Sequence, residues 1–193
     1  MQKSSHISCT IKDNKVWLNE SLVFEGNPND TAAVFFNQLY KHLQISYPKF
    51  FKMDLLSKLG FLASEILIKN TPDFISQDKD KIALLFSNRS SSLESDESHA
   101  ASIADKQNYF PSPSIFVYTL PNIGMGEIAI RHKLTGENAF FVSEKFDKEF
   151  LDNYARILYA EGQTNAAVCG WIDYHQNNYE AFVYYTEKGT FNL

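Results

Sequence analysis

"TLPNIGMGEIAIRHKLTGENAFFVSEKF", from Thr119 to Phe146, is the stretch whose reading decides the fold. Pro121 suits the first turn of a helix, where its missing N–H costs nothing. "NIGMGEIAIRHKL" is that helix. Its glycines, Gly124 and Gly126, each cost about 1 kcal/mol against alanine, which predicts that another backbone comes close there. The chain then turns at Gly136 and enters a strand, Ala139 to Ser143, that ends on Glu144, Lys145 and Phe146. Helix, tight turn and strand form a frame for a reacting group at the strand's end, yet that end holds no usual nucleophile.

Outward from this frame, "KIALLFS" (Lys81 to Ser87) is a compact apolar run, as expected of a central parallel strand covered on both faces. Before it, "MDLLSKLGFLASEILI" has apolar residues at helical spacing over a wide arc, and Asp54 is a suitable N-cap. Earlier still, Asn29 or Asp30 caps a helix that places Phe35, Phe36, Leu39, Tyr40 and Leu43 on one face. "ISCTIKDNKVWLN" reads as a hairpin turning at Asp13-Asn14. "NRSSSLESDESHAASIADKQ" predicts a loop or short helix, and "YFPSPSIFVYTLPN" an extended, proline-rich run. After the frame comes an amphipathic helix with Phe146, Phe150, Tyr154, Ile157 and Leu158 as its stripe, stopped by Gly162. Two strands follow, "TNAAVCGWIDYH" and "YEAFVYYTE", joined by "QNN" as an antiparallel hairpin. Strands alternating with helices predict an α/β fold: a mixed, mostly parallel five-stranded sheet with helices on both faces.

The 193 residues suit one domain, residues 1–193. Apolar residues make up 44% and aromatics 15%, enough for a real core. A net charge of -5 and a pI near 5.5 argue against nucleic acid as a partner. No signal-peptide pattern opens the chain, and no run approaches the roughly 18 apolar residues of a membrane span, so a cytoplasmic protein without a membrane partner is expected. Cys9 and Cys169 have no zinc spacing and are expected to be buried and reduced, a disulfide requiring the fold to bring the two ends together.

The stretch from Pro113 to Asp173 resembles the β-ketoacyl-acyl carrier protein synthases of the thiolase-like superfamily, and in particular the synthase-like N-terminal domains of aryl-polyene and flexirubin-type pigment clusters. The resemblance rests on "YTLPNIGMGEIAIRHKLTGEN", the strand and helix after it, and "GQTNAAVCGWID", without gaps from Pro121 to Asp173. It implies a thiolase-like half. In the family, the strand after Gly-x-Asn leads to a cysteine at the start of a buried helix, which activates the thiol. Counted along the match, that position is Lys145, which cannot carry a thioester. The 193 residues match one half of a synthase, so the second half's two histidines are not expected either. The resemblance further implies that the strand Ala139, Phe140, Phe141, Val142 and Ser143 pairs across a two-fold axis. The expected partners are therefore a second copy or a full-length β-ketoacyl synthase, with an acyl carrier protein in addition. No cofactor or metal is expected.

Other candidates read blandly. His6, His42, His99, His132 and His175 show no carboxylate or cysteine at a recognisable spacing. "KFFK" (Lys49 to Lys52) joins basic and aromatic residues and could meet an acidic carrier protein, or simply send its rings to the core. "SNRSSSLESDES" lacks the glycines and lysine of a phosphate loop. Phe140, Phe141 and Phe146 are expected to plug the space around Lys145. These readings favour a non-catalytic, chain-length-factor-like accessory protein of polyketide or fatty-acid-type biosynthesis. Against it stand a 3-oxoacyl-ACP synthase or acyltransferase subunit completed by a partner chain, and a module binding an acyl or aromatic ligand in the leftover cleft.

Overall fold

A computed structural model describes residues 7–107 and 110–189. In chain order these form β1 (Ser8–Lys12), β2 (Lys15–Leu18), β3 (Ser21–Glu25), α1 (Ala32–His42), α2 (Leu55–Asn70), β4 (Ile82–Asn88), α3 (Leu93–Ser102), α4 (Pro113–Val117), α5 (Ile123–His132), β5 (Asn138–Val142), α6 (Lys148–Ala160), β6 (Ala166–His175) and β7 (Asn178–Glu187).

The strands make one sheet in the order β3-β2-β1-β7-β6-β4-β5. The α/β class holds, with helices on both faces, but the sheet differs from the expected five-stranded, mostly parallel one. Seven strands are described, and only β4 runs parallel to its neighbours, β5 and β6; the other pairings are antiparallel. The reason is local. Asp13-Asn14 and Gln176-Asn177 all have positive φ, which two-residue hairpin turns require, so β1 to β2 and β6 to β7 fold back on themselves. Asn19 does the same before β3.

Side chains alternate between the faces, as a strand's period of two dictates. Ile82, Leu84 and Phe86 of β4 join Val168, Ile172 and Val183 under α1, α2 and α5. Ala83 and Leu85 join Cys169 and Tyr184 against Leu151, Ala155 and Tyr159 of α6. Every residue of β4 is buried, as its unbroken apolar run requires.

Asp54 caps α2 as expected, its Oδ1 accepting the Ser57 N–H at 2.9 Å. α1 departs from expectation: its N-cap is Thr31, without a side-chain bond, and the Ala32 N–H donates instead to Asn177 Oδ1 at 2.8 Å. The proline-rich run is not wholly extended, because Pro113 occupies the first turn of α4, where it is tolerated. The two helix glycines separate. A Cβ on Gly124 would lie 3.1 Å from Ser57 Cα, so α5 approaches α2 through it, whereas Gly126 faces open space. Gly136 is required by proximity to the chain beside it: a Cβ there would lie 2.4 Å from the carbonyl oxygen of Ile82.

Candidate functional site

The C-terminal ends of β4 and β5 meet where the sequence frame predicted a reacting group. The Ser143 N–H donates to the Asn88 carbonyl at 2.8 Å, and the Ser143 hydroxyl donates to the Lys145 carbonyl at 3.0 Å. The first bond extends the β4–β5 pairing by one step, and the second closes the chain on itself just after the strand. Asp147 then caps α6, its Oδ1 accepting the Phe150 N–H at 2.9 Å. Lys145 is therefore exposed, two residues before the cap, at the rim of a cleft of about 450 Å³. Phe146, Trp171 and Phe182 give the cleft its aromatic side; Phe146 lies 5.5 Å from the Phe182 ring and 6.3 Å from Trp171. Its charged rim is largely self-paired, Lys12 to Glu180 at 3.4 Å and Arg89 to Asp173 at 3.5 Å. Asp173 also accepts the backbone N–H groups of Arg89 and Ser90, at 3.2 and 2.8 Å, tying the turn after β4 to β6.

The three phenylalanines do not plug one space, as had been expected. Neighbouring strand residues face opposite ways, so Phe140 enters the core under α2 and α5 while Phe141 packs on α6, 4.8 Å from the Phe150 ring. Only Phe146 lines the cleft, which stays open. The stripe of α6 is likewise shifted from expectation. Leu151, Ala155, Leu158 and Tyr159 face the core, while Phe150 and Ile157 are 45% and 55% exposed. β5 is the last strand of the sheet, and Val142 on it is 58% exposed.

Neither thiol can serve as a nucleophile. Burial pushes the Cys9 thiol up to about 12. Cys169 is fully buried on β6, and burial, followed by the charge of Asp152, holds its thiol far above the ordinary range. Asp152 is itself satisfied, by Lys148 Nζ at 2.6 Å and by the Tyr184 hydroxyl at 2.8 Å. The cysteines are free and not bridged.

Among the described residues no histidine lines this cleft. Two of them have carboxylate partners that sequence spacing did not reveal, because the partners sit on other elements. His132 of α5 lies 2.6 Å from Glu65 of α2, and His175 lies 3.4 Å from Glu97 of α3. Burial alone would raise the Glu65 carboxyl; His132 and Arg131 together hold it below the usual carboxylate range. His42 rests against Phe24 and His99 against Phe116. His6 lies outside the described residues. In "KFFK", Phe50 stacks on Tyr40 at 4.3 Å and is buried, while Phe51 is exposed at the surface. The serine-rich run covers the end of β4, a turn over residues 89–92 and the start of α3.

No family model matches the chain, and no curated protein does. Solved structures do. The chain is similar to one from the ketosynthase ApeO in complex with its chain length factor ApeC, from Xenorhabdus doucetiae (TM-score 0.60, 15% identity, covering 76% of this chain and 62% of the other). It is similar to the ishigamide ketosynthase/chain length factor (0.62, 18%, 72% and 45%). It is also similar to the AntDE:AntF complex of a type II polyketide acyl carrier protein with its hexaketide-bound ketosynthase (0.66, 12%, 96% and 63%). The chain thus spans between 45% and 63% of the length of these three chains. No described helix is long and apolar enough to cross a membrane. At this level of identity the shared property is the architecture: this chain has the fold seen in part of those ketosynthase and chain-length-factor chains.

Proposed function

We propose that this chain is a non-catalytic, ketosynthase-like accessory protein, resembling a chain length factor, in polyketide or fatty-acid-type assembly in the cytoplasm. The pathway that suits its sequence resemblance is aryl-polyene or flexirubin-type pigment synthesis. One observation carries the reading: both cysteines are sealed in the core, and exposed Lys145 follows β5 at the position where the sequence resemblance puts the family's thiol. An amine there neither takes up nor releases an acyl thioester as a thiol does.

The chain pairs with a cysteine-bearing ketosynthase along Ala139, Phe140, Phe141, Val142 and Ser143. The terminal position of β5 supports this, since an edge strand offers unpaired N–H and C=O groups to another chain. Exposed Val142, Phe150 and Ile157 supply apolar contact beside it. Two of the similar structures pair a ketosynthase with a chain length factor, and a third brings an acyl carrier protein to a ketosynthase, so a carrier protein is a further expected partner.

The test is co-expression with a pigment-type ketosynthase, followed by native mass measurement. A stable one-to-one complex that Val142→Lys abolishes is expected. If the two proteins elute separately at micromolar concentration, and no acyl carrier protein joins either, the reading fails.

A further inference from the structure

We propose a divalent transition-metal site, of the zinc type, formed by Glu94, Glu97 and His175. It is separate from the Lys145 cleft and independent of the function proposed above. Glu94 and Glu97 lie three residues apart on α3, so both project from the same side of the helix. His175 is the last residue of β6 and brings an imidazole from a different element. One ligand atom from each of the three lies within 4.8 Å of the others.

The distances suit coordination as well as an ion pair. His175 Nε2 lies 3.4 Å from both Glu97 oxygens. A charge-assisted N–H···O bond would close to about 2.7–2.9 Å. A tetrahedral zinc with bonds of about 2.1 Å separates its ligand atoms by about 3.4 Å. The imidazole nitrogen and the carboxylate are thus spaced as the ends of one coordination edge. The imidazole also separates this site from an ordinary acidic patch, because nitrogen ligands draw zinc-like ions in preference to magnesium or calcium.

The supports are fixed before any ion arrives. The Gln176 N–H donates to Glu94 Oε2 at 2.9 Å, orienting that carboxylate from outside the ligand set. The Gln176-Asn177 turn holds His175 at the tip of a two-strand hairpin. α3 is anchored by the Ser95 hydroxyl on Asp54 at 3.0 Å and the Ser92 hydroxyl on the Thr119 carbonyl at 2.7 Å. The nearby cation, Arg89, is turned to Asp173. Three protein ligands leave a fourth position for water, the pattern of an open site.

The probe is zinc ion alone, titrated into the untagged full chain at pH 7 and followed by calorimetry and melting. One zinc per chain, bound in the micromolar range and raising the melting temperature, is expected. Glu97→Gln and His175→Ala should each weaken it by at least tenfold. Because Glu97 is exposed, its variant keeps the test valid even if His175→Ala folds poorly. Absence of saturable binding below 1 mM zinc, as an order-of-magnitude threshold for any specific site, overturns the site. So does undiminished binding by Glu97→Gln, or magnesium binding as tight as zinc.

Discussion

β4 and β5 lie side by side and in parallel, Leu85 opposite Ala139 and Phe86 opposite Phe140, yet they answer to different demands. β4 is buried at every residue, between the α2–α5 layer and α6. β5 has no residue fully buried, and its end opens into a cleft through Lys145. The frame is therefore held by the inner strand and the helices around it. The outer strand and the four residues after it are left for contact with another chain. Lys145 at that tip is exposed, so its side chain can change without disturbing the packing of the frame.

The widest gap between the two strands should appear in stability. Phe86→Ala empties a core position and should cost about 3–5 kcal/mol, whereas Val142→Ala on the neighbouring strand should stay within about 0.5 kcal/mol. Urea unfolding of both variants measures it. Equal losses would mean that β5 belongs to the core after all.

A smaller effect sharpens the picture of the frame by pH. The folded Glu65 carboxyl titrates below its unfolded value, so its stabilising contribution is present above the unfolded pKa, near 4.3. That contribution is lost as pH falls through the lower, folded value. Glu65→Gln removes this dependence, so the wild type should lose stability relative to the variant as the medium is acidified from about pH 5. Parallel pH curves for the two proteins would show that the α2–α5 clamp does not rest on this carboxylate.

The frame was largely legible in the sequence because its signals are local. "IALLFS" has no polar interruption before its serine, Asp54 sits one residue before its helix, and Gln176-Asn177 carries its own turn chemistry. Elements whose signals are weak or compensated were missed. β3, "SLVFE", exposes Leu22 and Val23, so burial imposes no alternation on it, and a register shift at Val16/Trp17 disturbs its pairing. α4 hides behind prolines, one of which begins it. On α6 the stripe was misplaced by a residue at several positions because Phe150 and Ile157, though apolar, face outward.

The site divides in the same way. Lys145 could be placed by counting from Gly136 and Asn138, which stand close in the chain. The cleft around it could not, because it also needs Lys12 and Asp13 from the first hairpin and Phe182 from the last strand. The pairs Glu65–His132 and Glu97–His175 join elements 67 and 78 residues apart, a distance over which spacing carries no signal. Only the packing of α5 on α2, and of α3 against the β6–β7 hairpin, brings them together.

The central claim is that the end of β5 is chemically silent. Intact-mass analysis after incubation with acyl thioesters, of the wild type and of Lys145→Ala, tests it most directly. The account predicts unchanged masses for both proteins, with folding stabilities within about 0.5 kcal/mol of each other. One stable acyl adduct per chain, lost in Lys145→Ala or mapping to Cys169, would contradict it.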